Sequence, residues 1–154
     1  MNILICGHRA YAAHGLAMLL EKAGHRVICF SRGVEGKKDN IISGKVKNID
    51  TNRFLDEKID VIINFILLEN GTLQDNIDYA AALCRLSKKK QVRKLIHLSS
   101  ISSYPNDVHI ITDQTEMDHN ASLKGRYGAM KVVVDEYLIH ERETNKLPLV
   151  LFRP

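Results

Sequence analysis

Short apolar runs recur along the chain, separated by longer stretches in which apolar residues fall at helical spacing. The runs Asn2 to Cys6, Arg26 to Phe30, Val46 to Asn48, Val61 to Phe65, Lys94 to Leu98 and Leu149 to Phe152 have the length of strands. They are close to continuously apolar, as expected of strands covered on both faces. The segments between them read as helices. Ala12 to Ala23 closes on Gly24 as a C-terminal cap. Leu73 to Leu86 carries Ile77, Ala80, Ala81 and Cys84 on one stripe and gives out at Lys88-Lys89-Lys90. Lys124 to Glu143 offers Val132, Val133, Tyr137 and Leu138 to a sheet. Strands alternating with crossover helices predict an α/β fold, a Rossmann-like doubly wound parallel sheet of about six strands with helices on both faces. Ser102 to Leu123, with Pro105, Asn106 and Asp107, is the one long irregular stretch, and such a loop inside a compact domain tends to serve function.

A chain of 154 residues with 45% apolar composition suits one domain with a real core. Twenty-two Lys and Arg against 18 Asp and Glu leave a net charge of +4, a mildly basic surface that favours acidic ligands such as phosphates. The basic cluster Lys88-Lys89-Lys90 with Arg93 and Lys94 stands at a helix end, where cations favour the dipole, and no aromatic residue interleaves it; nucleic acid is not expected. Cys6, Cys29 and Cys84 lack the spacing of a zinc site or redox pair, so reduced thiols in a reducing compartment are expected. The histidines form no metal-ligand pattern. The apolar run Val61 to Leu68 is broken by Asn64 and is too short for a bilayer, and the N-terminus lacks a signal sequence, so the expectation is a soluble cytoplasmic protein without a membrane partner.

Two ends of the sheet carry chemistry. Gly7 ends the first strand, and Ala10 and Ala13 follow at the second and third places of a GxxGxxG pattern; a strand, a tight turn and a helix start together make an anion site. The second strand ends at Phe30-Ser31-Arg32 with no carboxylate for a ribose diol, and guanidinium groups at Arg32 and Arg9 suit a 2′-phosphate, which favours NADP over NAD. Tyr127 and Lys131 lie four residues apart, on one helix face. A phenol with an ordinary pKa of about 10 becomes a better proton-transfer group beside a cation. Ser99-Ser100-Ile101-Ser102-Ser103 follows a strand, so hydroxyls stand at the carboxyl edge of the sheet, where a serine can orient a substrate oxygen and where serines also simply form turns.

In order and spacing these features resemble the extended short-chain dehydrogenase/reductase family of NAD(P)-dependent epimerases, dehydratases and reductases. Gly7 to Ala13 looks like its glycine turn, Val61 to Phe65 like its strand before a small-residue cofactor loop, and Leu95 to Ser100 like its strand to the active-site hydroxyl. Tyr127-Gly128-Ala129-Met130-Lys131 is similar to its YGxxK helix, and Leu151 to Pro154 to its Leu-Arg-Pro. The resemblance implies Ser100, Tyr127 and Lys131 as catalytic, with Tyr127 the acid/base and Lys131 on the nicotinamide ribose. It implies Gly7, Arg9, Ala10, Ala13, Arg32 and Phe65 around the cofactor, a nucleotide-sugar substrate, and a homodimer through Leu73 to Leu86 and Lys124 to Glu143. Ala10 and Ala13 replace glycines, Phe65-Ile66 replaces small residues and Pro105 replaces a glycine. Residues 1 to 154 would then be the NAD(P)-binding part of a fragment or shortened member without the substrate lobe. The alternative is a catalytically silent nucleotide-sensing or interaction module that kept the fold.

Overall fold

The computed structural model describes residues 1–107, 110–112, 114–120 and 124–154. The strands are β1 (Asn2–Cys6), β2 (Arg26–Arg32), β3 (Gly36–Lys38), β4 (Ile41–Gly44), β5 (Val61–Asn64), β6 (Lys94–Leu98) and β7 (Leu149–Phe152), and the helices are α1 (Leu16–Lys22), α2 (Leu73–Lys90) and α3 (Gly125–Asn145). Short 3-10 segments cover Tyr11–Ala13, Val46–Thr51 and Ile101–Ser103. One sheet runs β3-β4-β2-β1-β5-β6-β7, parallel throughout except for β3 against β4. The chain moves outward from β1 through β2 to β4, then returns to the other side of β1 as β5, β6 and β7. That reversal opens a crevice at the carboxyl edge between β1 and β5, where open sheets of this kind hold ligands.

Successive side chains of each strand point to opposite faces, so the sheet separates two cores. Leu4, Cys6, Ile28, Phe30, Ile42, Ile62 and Leu95 pack against α2, α3 and the Val46–Thr51 segment. Ile3, Ile5, Val27 and Cys29 pack against Leu16, Ala17 and Leu20 around α1. The Asp60 carboxylate accepts from the Asn2 backbone N–H (2.8 Å) and ties the start of β1 to the start of β5. All three cysteines are free and buried.

Two expected elements differ. Val46 to Asn48 is 3-10 helix, and the strand lies earlier, at β4. Val46 and Ile49, both buried, are three residues apart and so share one face of a 3-10 turn, whereas a strand would place them on opposite faces. The expected Ala12–Ala23 helix is split: Gly15 takes a left-handed φ of 74° after the Tyr11–Ala13 segment, and α1 begins at Leu16.

Candidate functional site

A cleft of about 410 Å³ occupies the crevice at the carboxyl edge. Its β1 wall is Gly7, Arg9 and Ala10, its β2 wall Ser31 and Arg32, and its floor Phe65 and Ile66 beyond β5. Leu98 and Ser99 close it from β6, and Tyr127 and Lys131 from α3. Gly7 is required twice. Its φ of 81° is left-handed, and a Cβ there would stand 2.8 Å from Ile66 Cγ1 and 3.3 Å from the Ile66 nitrogen. The Gly7 N–H donates to Phe30 O, while the amides of His8 and Arg9 have no partner among the described residues. Arg9 and Arg32 likewise form no ion pair there, so the two ends of the turn carry free N–H groups and free guanidinium charge. Ala13, buried in the 3-10 segment, does not line the cleft. Because α1 starts only after Gly15, the turn itself and the arginines must supply the attraction for an anion.

On α3, Tyr127 and Lys131 stand one turn apart, with the Lys131 ammonium 5.8 Å from the centre of the phenol ring. Lys131 Nζ donates to Leu98 O (2.8 Å) at the end of β6. Burial pushes its pKa down, and the carboxylates of Asp135 and Glu69 push it back up. Tyr127 is 41% exposed, which leaves its ring at the mouth of the cleft. Ser99 lines the wall, but its hydroxyl donates to Asp135 Oδ2 (2.6 Å) and is committed below the floor. Ser100, outside the lining residues, caps the Ile101–Ser103 segment: its Oγ accepts from Ser102 N and donates to Ser102 Oγ, each at 3.1 Å.

Beneath the cleft lies a polar seam that no local sequence pattern announces. Tyr79 OH on α2 donates to Asn64 Oδ1 (2.6 Å), which also accepts from Ile66 N. Asn64 Nδ2 donates to His97 Nδ1 (2.8 Å), so the imidazole proton resides on Nε2, 3.9 Å from Asp135 Oδ1. Asp135 in turn accepts from Arg153 Nε (2.9 Å), and Arg153 donates to Tyr104 OH (3.2 Å). The seam joins α2, β5, β6, α3 and the chain after β7, and holds the serine turn against the helix that carries Tyr127 and Lys131. One signal was available: Asp135 follows Lys131 by four residues inside an apolar stretch, which places a carboxylate on the buried face of α3.

Residues 3–154 match the profile of the family described as "Epimerase: NAD dependent epimerase/dehydratase family". The chain belongs to this family. No curated protein sequence matches it. Among solved structures, this epimerase/dehydratase family member is similar to a UDP-glucose 4-epimerase from Bifidobacterium longum in complex with NAD+ and UDP, at 21% identity and a TM-score of 0.78, over 99% of this chain and 52% of that one. A dTDP-glucose 4,6-dehydratase from Bacillus anthracis in complex with NAD aligns at 20% identity and a TM-score of 0.77, over 99% and 54%. A UDP-glucose 4-epimerase from Stenotrophomonas maltophila with bound NAD and formylated UDP-arabinopyranose aligns at 17% and 0.80, over 99% and 52%. The chain thus spans about half the length of the structures it matches, and at these identities the likeness is one of fold. Within the family fold, no helix among the described residues is long and apolar enough to cross a membrane, and no cluster of three His, Cys, Asp or Glu among them could hold a metal.

Proposed function

We propose that the chain is the nucleotide-binding part of an NAD(P)-dependent enzyme that acts on a nucleotide-activated sugar, with NADP favoured over NAD. The supporting observation is that Tyr127 and Lys131 line the same cleft as Gly7, Arg9 and Arg32. The donor set fits a dinucleotide: unpartnered amides at His8 and Arg9 and unpaired cations at Arg9 and Arg32 suit phosphates, and Phe65 and Ile66 offer an apolar floor. When bound, a nicotinamide supplies the hydride acceptor or donor that this chain lacks. Tyr127, exposed at the cleft mouth, exchanges a proton with the substrate hydroxyl. Lys131 faces the phenol ring, holds positive charge beside it and would be the residue to hold the nicotinamide ribose. Ser100 holds the reacting oxygen; among the described residues its hydroxyl bonds only within its own turn and can reorient, unlike Ser99, which is held by a buried carboxylate. The α2 and α3 helices, which pack side by side, offer the outer faces for a homodimer, in a soluble, cytoplasmic setting.

Calorimetric titration tests this directly. Heat of binding is expected with both dinucleotides, stronger for NADP+ than for NAD+. The Ile66 side chain, seated over Gly7 in place of a smaller residue, favours the second reading, a silent module. Absence of binding to either dinucleotide would sink the enzyme reading for this chain and leave the interaction module.

A further inference from the structure

We infer that Glu69 gives the Tyr127–Lys131 end of the cleft a preference for the oxidised, cationic nicotinamide over the reduced one. This rests on the cofactor reading above and assigns a residue that sets which form of the cofactor is held more tightly. The chain after β5 fastens this carboxylate in place. Gly71 N donates to Leu68 O (2.9 Å), which closes a turn with Glu69 and Asn70 at its corners. Asn76, buried on α2, grips the same turn twice: its Oδ1 accepts from Leu68 N (2.8 Å) and its Nδ2 donates to Leu68 O (3.1 Å). Arg126, in the first turn of α3, donates to Gly71 O (2.6 Å). The turn is thus tied to both helices, and Glu69 lines the cleft with Tyr127, the residue after Arg126, and with Lys131.

The charges around the cleft single out Glu69. Arg9, Arg32 and Lys131 also line it, and Glu69 is the one carboxylate among its described lining residues. A carboxylate repels phosphates, so it is favourable only beside a part of the ligand that is neutral or positive. Its negative charge reaches Lys131, whose ammonium it helps to keep protonated. Asp135, the other carboxylate that acts on Lys131, is committed below the floor to Arg153 (2.9 Å) and to the Ser99 hydroxyl (2.6 Å). Arg126 is exposed, spends an N–H on Gly71 O and does not line the cleft. Glu69 itself forms no ion pair or hydrogen bond among the described residues, so its charge is uncommitted. An oxidised nicotinamide ring carries a positive charge that the reduced ring lacks. A carboxylate at that end therefore stabilises the oxidised form selectively, and the Lys131 ammonium acts in the opposite direction.

The test is calorimetric titration of the chain, of Glu69→Gln and of Glu69→Lys with NADP+, NADPH, NAD+, NADH and ADP-ribose, which keeps the phosphates and lacks the ring. Glu69 is exposed, so neither substitution touches the core. Glu69→Gln is expected to lower the affinity for the oxidised form relative to the reduced form about threefold and Glu69→Lys about tenfold, an effect that follows the charge and shrinks at high salt. Binding of ADP-ribose is expected to stay within about twofold throughout. An oxidised-to-reduced ratio that is the same in all three proteins, or an ADP-ribose affinity that changes as much as that ratio, would overturn the inference. Glu69 would then be a solvated turn residue, and the binding of the dinucleotides would leave the cofactor reading in place. Failure of every ligand to bind the original chain overturns both.

Discussion

Burial pushes the His97 imidazole down to a pKa of about 3, and the nearby charges of Lys131 and Arg153 add to the effect. In the unfolded chain the same ring titrates near 6.5, so between about 6.5 and about 3 the unfolded state binds more protons than the folded one. Stability is therefore fully present above about 6.5 and falls as pH drops through that window. Asp135 works with the opposite sign, because burial raises its carboxyl and the folded state takes up its proton first. Comparison of a variant isolates the histidine: His97→Gln, which keeps an acceptor for Asn64, is expected to flatten the decline in urea midpoint between pH 7 and pH 4. A decline as steep as that of the original chain would show that His97 does not set it. At this scale Gly7, Arg9, Arg32, Tyr127 and Lys131 were legible because local spacing announces each of them. Asn64, His97, Asp135 and Arg153 were not, since each is a single polar residue on a separate element and acquires its role only when four elements meet.

Among the elements, α2 has the most explicit start signal. Thr72 Oγ1 accepts from Asp75 N (3.0 Å) and the Asp75 carboxylate accepts from Thr72 N (2.9 Å), a reciprocal capping box. Thr72→Ala leaves the first turn with an unpaired donor and is expected to lower stability by about 1 kcal/mol in urea unfolding, with α2 still formed. At its other end α2 runs on through Lys88-Lys89-Lys90 to a left-handed Gln91. The strands were largely readable, because a sheet covered on both faces demands near-continuous apolar runs. Val46 to Asn48 misled because three residues cannot distinguish periods of two and three, and only the joint burial of Val46 and Ile49 settles the matter. The split of α1 turns on Gly15, which as a sequence feature is equally compatible with a helix interior.

The two edges of the sheet are unlike. At one edge β3 is short and bears exposed Lys37 and Lys38, which discourage pairing with another chain. At the other, β7 carries Val150 and Phe152, 41% and 55% exposed, on the same face of the sheet as Ile96 and the α1 core. The doubly wound α/β class, the parallel order of its strands and the positions of the glycine turn and the Tyr127–Lys131 pair follow from local patterns, in which burial on two faces dictates composition and helical period dictates spacing. Tertiary structure alone decided that β4 precedes Val46, that Ile66 seats over Gly7, that Ser99 rather than Ser100 meets the cleft wall, and that Asn64, His97 and Asp135 form one buried seam. Those relations link residues far apart in the chain, and their energies arise only from contacts that the closed sheet and its helices bring into being.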